Sequence, residues 1–215
     1  MTVRILLVDD HPVVLDGLES ALAREVDLVV VARATTVAQA RAILAREAVD
    51  RDALGRAAID IVLVDIRLPD GSGLELMAES AGTTDTPAWI VLSSFETPQY
   101  LAAALSLGAA GYLLKTAPIG EVVAAIRQVA ARGTAFTAAQ LKGAQESGTA
   151  RLTSLDQRIV RALTAGQSND EIAAELQIAG KTVEAHLTRL FGQFGVHSRT
   201  ELALRADREG WLDLP

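Results

Sequence analysis

ILLVDD (Ile5–Asp10) is four apolar residues that run straight into two acids. A run this short and this rich in Ile, Leu and Val, without alternation, suits a strand buried on both faces. The same signature recurs at Leu28–Ala32, Ile61–Val64, Trp89–Leu92 and Gly111–Leu114. Between these runs lie helix-like stretches at Val13–Arg24, Val37–Arg46, Gly73–Ser80, Pro98–Leu107 and Ile119–Ala131. Strand and helix alternate throughout, which predicts a doubly wound five-stranded parallel α/β sheet covered on both sides. The charged stretch Glu47–Ala58 reads as an extended second helix or a surface excursion.

Polar residues then fall at the strand ends. Asp9 and Asp10 close the first strand, Asp65 the third, Ser93 the fourth and Lys115 the fifth. Parallel α/β sheets bind ligands at the carboxyl ends of their strands, so three acids, a hydroxyl and an ammonium converge on one edge. Taken singly, an acid after a strand is most often a turn or helix cap. Together these residues suit phosphoryl transfer to a carboxylate. Clustered carboxylates call for a divalent cation, and a ligand set without sulfur or imidazole favours Mg²⁺. One carboxylate can act as the nucleophile, Lys115 can face phosphoryl oxygens, and Ser93 can hydrogen-bond to one of them.

Two enzyme readings are weaker. The GSG of DGSGLEL is only part of a dinucleotide fingerprint, does not directly follow a strand, and reads as a helix entrance. A phosphatase built on an Asp nucleophile would want a second acid two residues on, where this chain has Arg67.

The composition narrows the field further. The 215 residues contain no cysteine, which excludes disulfides, thiol catalysis and thiolate metal sites. The opening MTVRILLVDD is neither a signal peptide nor a membrane span, so a soluble cytoplasmic protein with no membrane partner is expected. The net charge of −7 sits mostly in the first 150 residues, and the remainder is near neutral. Any DNA binding must come from local arrangement rather than from a strong overall field.

After Arg132 the pattern changes. Residues 133–151 are rich in Gly, Thr, Ser and Ala and read as a linker with one helical turn. From 152 to 215 apolar residues recur at helical spacing, which predicts a small all-α domain of four short helices. In IAGKTVEAHLTRLFGQFG (Ile178–Gly195), Val183, Leu187, Leu190, Phe191 and Phe194 form one stripe. The opposite face centres on Ala185, with Lys181, Thr188, Arg189 and Gly192 around it, and Glu184 lies about a quarter-turn from the stripe. Ser168 with Glu171 three residues on is a capping-box pattern.

ILLVDDHPVV, VLVDIRLPDGSGLEL, VLSS and GAAGYLLK together resemble the receiver domain of bacterial response regulators, over about residues 3–130. Residues 151–207, with AGQSNDEIAAEL, KTV, His186 and GVHSRTE, resemble the LuxR-type helix-turn-helix, a combination similar to the NarL/FixJ class. The resemblance implies that residues 1–132 form the receiver and that Asp65 is phosphorylated by a sensor histidine kinase. It further implies Mg²⁺ held by Asp9, Asp10, Asp65 and the Arg67 backbone carbonyl. Lys115 would pair with the phosphoryl group, and Ser93 and Tyr112 would form a switch pair whose ring moves inward. The second helix of the motif would enter the major groove of double-stranded DNA, with Lys181, Thr182, Glu184, Ala185, Thr188 and Arg189 as contact candidates. An active homodimer would read paired half-sites.

The chain departs from that pattern in three places: Glu184 where a basic residue is common, Ala179 where Ser or Thr usually caps the helix, and Gln193 where a lysine is common. These departures leave a rival reading, a phosphorylation-switched protein-interaction module with weak or lost DNA binding.

Overall fold

The computed structural model describes residues 2–54, 59–80, 86–146 and 152–211. The chain forms two compact units, the first running through Ala144 and the second from Gln145 to Leu212.

The first unit is built on β1 (Val3–Val8), β2 (Leu28–Ala34), β3 (Ile61–Val64), β6 (Ala88–Ser93) and β7 (Gly111–Leu114). These pair in the order β2-β1-β3-β6-β7, and every pairing is parallel. The helices are α1 (Pro12–Leu22), α2 (Val37–Leu54), α3 (Gly73–Ser80), α4 (Pro98–Ser106), α5 (Ile119–Ala130) and α6 (Ala138–Glu146). Strands without polar alternation still alternate by face. Ile5, Leu7, Ile61, Leu63, Ile90 and Leu92 pack against the apolar faces of α1 and α5. Leu6, Val8, Val62, Val64, Trp89 and Val91 pack on the other side, with residues of α3 and α4. The central stretches of β1, β3 and β6 therefore need apolar residues on both faces, which is why their sequence shows no period.

The stretch from Glu47 takes the helical one of its two readings as far as Leu54, and one later element differs from expectation. Residues 55–58 lie outside the described residues. The segment after α5, read as a linker, begins as part of the sheet. Ala135 forms a parallel bridge with Gly111, and α6 follows, with Ala144 buried in the first unit's core. Residues 147–151 lie outside the described residues.

The second unit is all helical, as expected: α7 (Ser154–Thr164), α8 (Asn169–Leu176), α9 (Gly180–Phe194) and α10 (Arg199–Glu209). Its core joins Ile159, Val160 and Leu163 of α7 to Ile172 and Leu176 of α8, Val183, Leu187 and Leu190 of α9, and Leu202 of α10. The Ser168–Glu171 capping box is formed at α8, and a second one, Thr153–Asp156, starts α7. Helix α9 starts at Ala179 without a side-chain cap. It ends on Gly195 in the left-handed conformation (φ 60°), which glycine adopts without the Cβ penalty.

Candidate functional site

Register brings the strand-end residues together. Val8 is paired with Val64 across β1 and β3, so Asp9 and Asp65 emerge side by side. The Asp65 amide donates to Val8 O at 2.8 Å, and the Lys115 amide to Ser93 O at 2.8 Å. Asp9, Asp65 and Ser93 are buried, and Asp10 is half-buried. Lys115 Nζ lies 2.8 Å from Asp65 Oδ2 and 2.7 Å from Asp9 Oδ2, bridging the two carboxylates.

The electrostatics follow from burial. Desolvation pushes the Asp65 pKa above its ordinary value, against the opposing pull of Lys115. Burial lowers that of Lys115, but Asp65 and Asp9 more than offset it and the net shift is upward. The ammonium is thus held charged between two anions.

The loop after Asp65 is shaped to stay out of the way. Arg67–Leu68 (β4) and Gly71–Ser72 (β5) form a two-residue antiparallel ladder that delivers the chain to α3. A Cβ on Gly73 would come within 2.1 Å of the Asp65 carbonyl oxygen, so only glycine fits there. Asp70 turns back to accept from the amides of Val37 and Ala38 at 2.7 and 2.9 Å, tying the loop to the start of α2. The Arg67 side chain points away from the acids. Its Nε donates to the Tyr100 hydroxyl at 3.2 Å, and its guanidinium lies 5.3 Å from the centre of the Phe95 ring.

Ser93 and Tyr112 are also brought together. Both meet at Phe95, whose amide donates to the Ser93 hydroxyl at 3.2 Å and whose carbonyl accepts from the Tyr112 hydroxyl at 2.5 Å. The ring already lies inside, 1% exposed, and burial raises the phenol's pKa well above its ordinary value.

The acidic cluster suits a hard cation. Asp9 Oδ2 and Asp10 Oδ1 are buried yet, among the described residues, accept no hydrogen bond of good geometry, with Lys115 and the His11 ring respectively at ion-pair distance. Ligand atoms of Asp9, Asp10, His11 and Asp65 lie within 4.8 Å of one another. His11 was not anticipated. Its Nδ1 sits 3.1 Å from Asp9 and 2.6 Å from Asp10, and its place directly after the two acids was the available signal.

In the helical unit, Lys181, Glu184, Ala185, Thr188 and Arg189 are exposed on α9, and Thr182 is half-buried. The structure separates Arg189 from the others. Its guanidinium is tied to Asp156 on α7 and donates to Gln193 Oε1 at 2.9 Å. Asp156 is fully buried, and His186 Nδ1 lies 2.7 Å from the same carboxylate oxygen. Burial pushes the Asp156 pKa up, but hydrogen bonds from Thr153, His186 and Arg189 prevail and hold it at about 2. Sequence reading missed Asp156, although the Thr153–Asp156 capping spacing was there to be seen.

The fold and its polar edge define a receiver-type α/β domain joined to a helix-turn-helix domain. Residues 5–127 match the response regulator receiver domain, and residues 150–206 match the bacterial regulatory proteins of the luxR family. The chain belongs to the luxR-type response regulators. It is 32% identical to the DNA-binding transcriptional activator DevR/DosR of Mycobacterium tuberculosis, over 95% of this chain and 94% of that one. It is 34% identical to the transcriptional regulatory protein UhpA of Salmonella typhimurium, over 97% of this chain and all (100%) of that one. The solved structure of the response regulator ChrA of a heme-sensing two-component system is 28% identical, with a TM-score of 0.53 and 98% of each chain covered. Among the described residues no helix is long and apolar enough to cross a membrane.

Proposed function

We propose that Asp65 receives a phosphoryl group from a sensor histidine kinase and that this controls dimerisation and sequence-specific DNA binding. The observation that carries the reading is the buried Asp65 carboxylate held 2.8 Å from Lys115 Nζ beside Asp9. In the transfer, a carboxylate oxygen of Asp65 forms a bond to phosphorus while the P–N bond of the donor phosphohistidine breaks. The imidazole leaves and takes up a proton. Lys115 presents fixed positive charge to the phosphoryl oxygens, and the Ser93 hydroxyl donates to one of them. Asp9, Asp10 and Asp65, with the Arg67 backbone carbonyl, are the residues that would hold Mg²⁺. When bound, the ion supplies neutralising charge among the carboxylates and the phosphoryl oxygens.

The output follows from the same contacts. A charge of nearly −2 at Asp65 draws Ser93 and Lys115 toward it, and Tyr112, linked to Ser93 through the Phe95 backbone, moves with the loop. The face formed by β6 and β7 is thereby reshaped, favouring a homodimer. Two α9 helices can then occupy paired half-sites of double-stranded DNA, where the second contact is effectively intramolecular. The protein acts as a switch that carries its own phosphoryl group, not as an enzyme turning over a substrate.

Incubation with a small-molecule phosphodonor, followed by mass measurement, tests the first step. The wild type gains one phosphoryl group and Asp65→Asn gains none; equal labelling of both would sink the reading. Footprinting on genomic DNA tests the second. No site-specific protection at low salt would favour output through protein binding instead.

A further inference from the structure

We infer that Glu184 is a specificity-determining residue that selects a cytosine at one position of each half-site. This rests on the DNA-binding reading and adds the chemistry of one base contact to it.

Burial of Val183, Leu187, Leu190 and Phe194 fixes the rotation of α9, and Glu184 is left exposed with Ala185 and Thr188. Lys181, three residues earlier, and Thr188, four residues later, share its flank. The side chains nearest the centre of the outward face are short. Ala185 carries one carbon, and Gly192 has nothing within 4 Å of where a Cβ would stand. A helix with so little on its outer surface can approach the floor of the major groove closely, within reach of a glutamate at its flank.

Among the described residues, Glu184 has no hydrogen bond and no ion pair. Lys181, the cation on its own flank, makes no ion pair with it among the described residues, and Arg189 is committed to Asp156 and Gln193. The carboxylate therefore meets DNA as a free anion. Close to the phosphates it is repelled, and that cost must be offset by donors within the groove. A carboxylate is acceptor-only. On the groove floor guanine offers O6 and N7 and thymine offers O4, all acceptors that add to the repulsion. Adenine has an amino group, but its N7 acceptor stands next to it and faces the second carboxylate oxygen. Cytosine alone offers an amino group with no acceptor of its own beside it. The anion at residue 184 thus excludes three bases more strongly than it attracts the fourth, and selectivity is the outcome.

The test is selection from a random DNA pool using the full chain with phosphodonor, as wild type, Glu184→Ala and Glu184→Gln. The site is exposed and both substitutes are sound helix formers, so folding is preserved. Wild type is expected to enrich a two-fold symmetric site containing one cytosine per half that Glu184→Ala no longer prefers, the remaining positions being unchanged. Glu184→Gln should move that position toward adenine, whose amino group and N7 match an amide. In direct binding, replacing that cytosine by thymine should weaken the wild type by about tenfold or more and leave Glu184→Ala nearly unaffected. If wild type and Glu184→Ala select the same motif, or the thymine costs both equally, the inference is overturned while DNA binding stands. If none of the three proteins enriches a motif, the DNA-binding reading fails and this one with it.

Discussion

Asp156 shows how much one side chain can settle. It is a buried anion that caps α7 and anchors both His186 and Arg189 of α9, so it fixes the helix proposed to face DNA. Its pKa lies near 2, below its ordinary 3.8. A carboxyl depressed in this way contributes its full stability above pH 4 and loses it as pH falls from about 4 to about 2, a swing of about 2 kcal/mol. Calorimetry of wild type and Asp156→Asn should show the variant's helical unit less stable at neutral pH, with the gap closing toward pH 2. A gap that stays constant with pH would mean that the charge of Asp156 is not what matters. The residue scale is also where sequence reading was most uneven. Asp9, Asp10, Asp65, Ser93 and Lys115 were legible because each terminates an apolar run, and parallel strands aim their ends at one edge. Arg189 stays exposed among the DNA-contact candidates, but a helical wheel, which knows only its own helix, could not show that it is also paired internally. The partner that takes it, Asp156, lies 33 residues away on another element.

At the scale of elements, the segment after α5 is the informative one. The Ala135 amide donates to Ala110 O at 2.6 Å and its carbonyl accepts from the Tyr112 amide at 3.1 Å, so the chain lies along the outer edge of β7. Gly111 permits this, since a Cβ there would stand 2.9 Å from the Ala135 Cβ. Gln140 then caps α6 reciprocally with Thr137. Its Nε2 reaches the Tyr112 carbonyl at 3.2 Å and Glu96 at 2.7 Å. Tyr112 is therefore gripped at both its backbone N–H and its C=O by the stretch leading out of the receiver. Gln140→Ala should cost the first unit about 1–2 kcal/mol, the sum of a lost cap and unsatisfied buried groups. Hydrogen exchange should quicken at residues 133–146 and at Tyr112. Gly143→Ala is the control: nothing lies within 4 Å of the added Cβ, and removing a helical glycine should slightly strengthen α6. Unchanged exchange in Gln140→Ala would mean that the bridge at Ala135 holds the segment by itself. The five strands and most helices were readable because burial writes a pattern of apolar residues. This segment was taken for a linker because it is held by backbone bonds and one glutamine, which leave no such pattern. Only the Thr137–Gln140 capping spacing hinted at it.

For the whole molecule, charge decides between two routes from phosphorylation to DNA. The chain carries a net −7, and turning the Asp65 carboxylate into an acyl phosphate adds about one more negative charge. Electrostatics alone would weaken contact with a polyanion, and beyond a Debye length of about 8 Å at physiological salt it does little in either direction. Any gain in affinity must come from linkage. With Arg189 engaged internally and Gln193 in place of a cation, the proposed reader α9 offers few phosphate contacts, so a single half-site is expected to be held weakly and with a shallow salt slope. Pairing two such readers multiplies modest affinities, by about 10² or more when the geometry fits. Titrations against a paired site and a single half-site, with and without phosphodonor, separate the routes. Dimer-driven activation raises affinity for the paired site alone and leaves the half-site constant unchanged. An equal gain on the half-site would instead mean that phosphorylation frees an occluded α9, and the dimer would then follow DNA binding rather than cause it.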